Sequence, residues 1–238
     1  MRLISTDRFF EPPPSKTDFD TLAGILRLST KYEVAYLRRR ALLHLDTIMG
    51  NTLQDFDARK SKGTILATNS LAFLIADLVH EMDLPWLLPT VLYICTLSFE
   101  DIVMGYMYKG ERRRMNGSQQ VACIKALRPL IICYRKDIHN FLHWIAINVD
   151  GCKSSLHCNE VRLTLLRATS SYTRNPLGSF SDVFEKAARK GFCKTCYIKS
   201  RDAHLAAREA LWDALPGLFD LPSWKTLKTL REQALAEP

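Results

Sequence analysis

Four of the seven cysteines in this 238-residue chain stand where side chains could hold a metal. Cys152 follows Gly151 in a polar stretch, and Cys158 opens a helical pattern running to about residue 169. Cys193 and Cys196 form a Cys-x-x-Cys pair directly before a second helical pattern, from about residue 197 to 215. Each pair thus lies where the chain turns into a helix. Two such turns packed together would present four thiolates in a tetrahedron, which suits Zn²⁺ with Zn–S distances of about 2.3 Å. The partial positive charge of helix N-termini favours the thiolate form.

The spacing leaves alternatives open. Five residues separate Cys152 from Cys158, where structural zinc sites usually place two to four. His157 is another ligand for the first pair, although its adjacency to Cys158 hinders ligation by both. A redox pair of Cys193 and Cys196, as in a thiol–disulfide oxidoreductase, normally follows a strand–turn–helix pattern that is missing here. A disulfide framework belongs to oxidising compartments. Four unrelated core cysteines are the remaining reading. Cys95, Cys123 and Cys133 lie in apolar helical patterns and read as small buried hydrophobes.

No catalytic constellation is recognisable. The sequence has no Gly-x-Ser-x-Gly elbow, no Gly-rich phosphate loop and no His-Glu-x-x-His. His80-Glu81 comes nearest, but residue 84 is Leu, so both are expected at the polar end of a helix over about 70–82. His139 and His143 have i,i+4 spacing, yet no third ligand accompanies them. Solvent exposure or a core contact is expected for each.

The elements that would position these residues are helical. Apolar residues recur at helical spacing in nearly every ordered stretch, which predicts an all-α fold. Phe9-Phe10-Glu11-Pro12-Pro13-Pro14 reads as an extended arm, because proline removes donors and restricts its neighbours. Thr17-Asp18-Phe19-Asp20 resembles a capping box for a first helix. Val34, Leu37, Ala41, Leu42 and Leu45 line a second. Residues 50–68 are polar and turn-rich and read as a loop and a boundary. Residues 105–117 read as another loop, extended around Tyr106-Met107-Tyr108. A helix over about 119–147 is expected to kink or split at Pro129. Asp83-Leu84-Pro85 and Asp220-Leu221-Pro222 read as one helix start used twice, with Asp capping and Pro in the first turn.

Charge gives little direction. The chain is +8 overall, with +2 in residues 1–50, +1 in 51–150 and +5 in 151–238. Four thiolates on Zn²⁺ would lower the last figure by two. No segment carries the concentrated basic stripe of a nucleic-acid binder. Arg38-Arg39-Arg40 is expected on a solvated helix face, and Arg112-Arg113-Arg114 in an exposed loop. No apolar run reaches membrane-spanning length, since the longest, Leu71 to Val79, contains Asp77. The first residues contain no apolar signal core. A reducing compartment, cytoplasm or nucleus, is expected.

The stretch Leu26-Arg27-Leu28-Ser29-Thr30-Lys31-Tyr32-Glu33-Val34-Ala35-Tyr36-Leu37-Arg38-Arg39-Arg40 resembles the C-terminal helices of BTB/POZ domains. The likeness is greatest to BTB proteins of mushroom-forming fungi. It extends over Phe9 to Pro14, over His80-Glu81-Met82-Asp83-Leu84-Pro85-Trp86-Leu87-Leu88-Pro89 and over Leu211-Trp212-Asp213-Ala214-Leu215-Pro216. The group's pattern includes a cysteine pair followed by Cys-x-x-Cys, so the resemblance implies zinc on Cys152, Cys158, Cys193 and Cys196. It also implies that residues 1–50 are the last helices of a BTB domain, truncated at its N-terminal side, with two helices within 17–49. Residues 51–238 would form a helical region of seven or eight helices held by the zinc clamp. The β-rich half of a BTB domain has no counterpart here. That half carries the usual dimer surface and parts of the docking surface for cullin-type scaffolds, so the resemblance implies neither contact. The expected function is non-catalytic: a protein–protein interaction module, adaptor or regulator, with other proteins as partners. A thiol–disulfide oxidoreductase using Cys193 and Cys196 is the alternative from another class, and a basic nucleic-acid-binding regulator is a third.

Overall fold

The computed structural model describes residues 10–66, 70–143, 149–169 and 175–236. Among them are eleven α-helices and one two-stranded hairpin, the expected all-α fold. No described helix is long and apolar enough to cross a membrane. Two compact units emerge. One runs up to residue 125 and takes in residues from 215 onward; the other comprises 126–214. The expected boundary near residue 50 falls inside the first unit.

The first unit opens with α1 (Phe19–Lys31) and α2 (Ala35–Met49), which pack on each other through fully buried Leu22, Leu26, Ala41, Leu42 and Leu45. The capping box is shifted by one residue from the sequence reading. Asp18 is the cap, accepting from the Thr21 N–H at 2.8 Å. Asp20 instead accepts from the Tyr108 hydroxyl at 2.7 Å and pairs with Lys109 at 2.8 Å. A carboxylate one residue before the helix reaches the free N–H groups of the first turn directly. The Arg38-Arg39-Arg40 triplet is less solvated than expected. Arg38 donates to the Ala234 carbonyl at 3.3 Å and Arg40 to that of Phe10 at 2.9 Å.

Residues 50–68 are not simply a loop. They contain α3 (Leu53–Lys62), capped by Thr52, whose hydroxyl accepts from the Asp55 N–H at 3.1 Å. Phe56 is its one buried residue, so no apolar stripe betrays the helix. Next come α4 (Leu71–Glu81), a 3₁₀ turn (Pro85–Leu87), α5 (Leu88–Thr96) and α6 (Phe99–Met104). At the polar end of α4, Glu81 takes two hydrogen bonds from Arg27, at 2.6 and 2.7 Å. Strands β1 (Tyr106–Tyr108) and β2 (Glu111–Arg113) form an antiparallel hairpin with Tyr106 opposite Arg113. Gly105 precedes it with φ +84°; a Cβ there would lie 2.4 Å from the Arg113 carbonyl oxygen, so the close approach requires glycine.

The aspartates of the two Asp-Leu-Pro segments end helices rather than cap new ones, while Pro85 opens the Pro85–Leu87 turn that leads into α5, as expected. Asp83 and Asp220 are both left-handed, with φ 51° and 57°. Leu84 N–H bonds the Val79 carbonyl at 3.0 Å, and Leu221 N–H that of Pro216 at 3.0 Å. This six-residue closure with a left-handed residue just before it is the Schellman stop. Asp is among the few residues other than glycine that tolerate the left-handed region.

Helix α7 (Gly117–Cys133) runs on through Pro129 rather than splitting there. It leaves α geometry later, in a π turn (Tyr134–Ile138) and a 3₁₀ turn (Asn140–Leu142). The last part of the expected 119–147 helix lies outside the described residues. The chain enters the second unit within α7 and leaves it within α10. Helices α8 (Ser155–Thr169), α9 (Ser181–Arg189) and α10 (Lys194–Leu218) build that unit, and α11 (Trp224–Ala236) belongs to the first. Nine described helices thus follow residue 50, rather than seven or eight. The second unit's core gathers Ile138, Phe141, Leu142, Val161, Leu165, Val183, Phe184 and Phe192. Buried His204 stacks on Phe180 at 4.7 Å between their ring centroids. In the first unit, α11 buries Leu227 and packs on α2 and the Pro85–Leu87 turn.

Candidate metal centre

Each of the four sulfur atoms is delivered by a local device. Cys152 ends a turn closed by its N–H on the Val149 carbonyl at 2.9 Å. Gly151, at φ +78°, supplies the left-handed third position that a type II turn requires. Cys158 sits in the first turn of α8, which begins at Ser155, three residues earlier than the sequence pattern indicated. The second pair follows the Schellman stop of α9. Phe192 N–H bonds the Ala187 carbonyl at 3.1 Å, and Gly191 has φ +82°. Cys193 then occupies the capping position of α10, with the Cys196 N–H donating to its sulfur at 3.5 Å. Cys196 lies inside the first turn of α10.

The four side chains converge. The sulfur atoms of Cys152, Cys158, Cys193 and Cys196 all lie within 4.8 Å of one another. Those of Cys152 and Cys193 are 3.9 Å apart. A tetrahedral site with Zn–S distances of about 2.3 Å holds its sulfurs about 3.8 Å apart. The arrangement could therefore hold one metal ion with little movement. Cys158 and Cys196 are buried within the apolar core, while Cys152 and Cys193 are half-buried and form the solvent side.

Local electrostatics separate the thiols. Burial alone would raise the Cys193 thiol; hydrogen bonds from the backbone of Cys196 and Lys153 and from the Cys196 and Cys158 side chains outweigh it and bring Cys193 down to about 6. Burial pushes Cys196 up to about 12, opposed by the Arg162 guanidinium. Burial also raises Cys158. Proton sharing within such a cluster belongs to the group as a whole. A metal ion would displace these protons and leave four thiolates.

Other sequence-level options fall away from the centre. His157 lies outside the cluster and bonds the Lys190 carbonyl at 3.0 Å through Nε2. His139 is buried against Tyr134 and Phe180, and His143 is exposed. Cys95 and Cys123 are fully buried core residues, as expected, and Cys133 is partly buried. Burial lifts Cys95 well above an ordinary thiol and Cys123 to about 12. The sequence reading overlooked Arg162, which reaches Cys196. Its i,i+4 spacing from Cys158 on α8 was the available signal.

Compared with known proteins, the chain matches no family model, no curated protein and no solved structure.

Proposed function

We propose that this chain is a non-catalytic protein–protein interaction module of the BTB kind, with a second unit held by a structural Zn²⁺ on Cys152, Cys158, Cys193 and Cys196. The observation that carries the zinc reading is the convergence of four sulfurs within 4.8 Å from two separate loop-to-helix turns. Four thiolates complete a tetrahedral sphere and leave no position for water or substrate, so the ion's role is to clamp rather than to catalyse. Tetrahedral sulfur ligation suits zinc or iron, and metal analysis separates the two.

The interaction reading rests on the sequence resemblance. A surface feature of the first unit supports it. Phe99, Val103 and Met104 on α6 and Val121 and Ile124 on α7 remain between 43 and 61% exposed. Gln120 of α7 ties the two helices by donating to the Ile102 carbonyl at 2.7 Å. Exposed apolar groups in such number mark contact surfaces.

The test has two parts. Chain purified without a metal-affinity step is expected to contain close to one zinc per molecule, lost in Cys193→Ser; iron, or no metal, would overturn the zinc reading. Affinity capture from native cells is expected to yield a partner set that Phe99→Ser and Val121→Ser remove together. An unchanged set would overturn the assignment of that surface. One observation favours the oxidoreductase alternative on Cys193 and Cys196: the lowered Cys193 thiol lies within 4.8 Å of the Cys196 sulfur. Catalytic reduction of insulin disulfides by the purified chain would move the conclusion there.

A further inference from the structure

Arg162 is 1% exposed, the largest fully buried side chain among the described residues. A guanidinium in an apolar core is unfavourable unless charge and hydrogen bonds meet it. Its surroundings point to the sulfur cluster. It lies one helical turn after Cys158 on α8, and its guanidinium acts on the Cys196 thiol, opposing the upward push of burial. Nη1 donates to the Asn159 Oδ1 at 3.0 Å, and the guanidinium carbon lies 5.0 Å from the centre of the Phe192 ring. Asn159 and Phe192 are the chain neighbours of Cys158 and Cys193. The side chains that orient Arg162 therefore belong to the same two turns that deliver the sulfurs.

Charge gives this arrangement a purpose. Four thiolates and one divalent ion sum to −2, and the ion's own charge has to enter any account of the site. In that state Cys158 and Cys196 would place two of the four thiolates inside the core. Lys153, Lys194 and Lys199 are close in sequence but exposed, where water and salt screen them. Arg208 is buried as well, but it binds the Leu177 carbonyl through Nε and Nη2. Arg162 is the buried cation that meets the cluster.

We propose that Arg162 is the counter-cation of the metal centre, stabilising the bound tetrathiolate by its charge and by a hydrogen bond that its guanidinium would donate to the Cys196 thiolate once the metal is held. This rests on the metal reading above. Arg162 is a positioning residue: it would act through a ligand, not on the ion. Its contribution is to metal affinity, beyond filling the core.

The experiment compares wild type, Arg162→Met and Arg162→Lys as full-length chains. Each is titrated with Zn²⁺ against a chelator of known affinity, and separately loaded with Co²⁺ for its thiolate-to-metal charge-transfer band. Arg162→Met, similar in length but neutral, is expected to bind zinc about 10- to 100-fold more weakly, the usual effect of losing an outer-shell partner. Its charge-transfer band should move to lower energy, because an unbonded thiolate donates electrons more easily. Arg162→Lys restores the charge without the fork and should recover part of the affinity. Wild-type affinity with an unmoved band in Arg162→Met overturns the proposal. So does equal loss in both variants with an unmoved band in the loaded fraction, which would make Arg162 a packing residue. A wild-type chain that takes up neither metal defeats the metal reading itself, and this one with it.

Discussion

The Cys193 sulfur lies 3.9 Å from the Cys152 sulfur across 41 residues of chain. Between them run α8, α9 and residues outside the described set, so the contact closes a long loop. Metal binding at such a site is coupled to folding of the segment it closes. Chelation of the proposed zinc should therefore loosen the second unit, because a structural zinc contributes on the order of 10 kcal/mol of apparent binding free energy near neutral pH. Hydrogen exchange followed by mass spectrometry should show lost protection in α8 and the first turns of α10. Cys193→Ser should reproduce that loss. Cys123→Ser should keep its metal and cost about 1 kcal/mol, as an ordinary core change does. Retained protection after complete metal removal would argue against the clamp.

Gly191→Ala should weaken the same unit by about 1–2 kcal/mol. The position is left-handed, which costs a residue with a Cβ about that much. The added Cβ would also meet the His157 Nε2 at 2.9 Å. This turn delivers Cys193, so zinc affinity should fall along with thermal stability. An unchanged melting curve and unchanged chelator competition would contradict it.

Asp83→Gly should stabilise the first unit slightly, by about 0.5 kcal/mol. Glycine removes the left-handed penalty, offset in part by its greater freedom when unfolded. Had Asp83 been a helix N-cap, the same change would lower stability by a few tenths of a kcal/mol. The sign of the shift in denaturant midpoint therefore decides between a helix stop and a helix start.

Arg231→Met should destabilise the first unit more at pH 7 than at pH 4. The Asp46 carboxylate is 11% exposed and pairs with Arg231 at 2.7 Å. Burial raises its pKa even against that pair. A raised carboxyl pKa means that the folded state holds the proton more tightly than the unfolded one. Its contribution is thus full below the unfolded value of about 3.9 and falls away as pH rises through the folded value. Without Arg231 the folded pKa climbs further and the decline widens. Arg231 is 30% exposed, so the loss at pH 7 should lie between the surface and buried cases, about 1–2 kcal/mol. Urea melts of both proteins at the two pH values would show it; a constant difference would not fit.

The all-α fold was legible because Leu22, Leu26, Leu42 and Leu45 repeat at helical spacing and are buried as that spacing requires. The four cysteines were legible from chemistry and position, although the five-residue gap obscured the first pair. Starting α8 three residues earlier places Cys158 inside a helical turn and lets the wide gap close. Helix α3 escaped notice because burying Phe56 alone needs no periodic stripe, and α9 because it is short. The Asp-Leu-Pro segments misled for a physical reason. Asp and Pro serve equally well after one helix and before the next, and only the backbone angle of Asp83 or Asp220 tells which. Arg162 stayed hidden because a charge on a helix normally faces water.

The ion pair of Asp46 with Arg231 joins positions 185 residues apart. The intervening chain includes the whole second unit, so the first is interrupted and resumes only with the end of α10 and with α11. Synthesis has a direction, and at about 5–20 residues per second those residues take about 10–40 s to emerge. Until then Asp46 waits without its cation, and the Pro85–Leu87 turn waits without the helix that packs on it. The second unit, wholly synthesised by residue 214, is complete while the first is still open. On the ribosome, the later-starting part of this protein is therefore the first to finish.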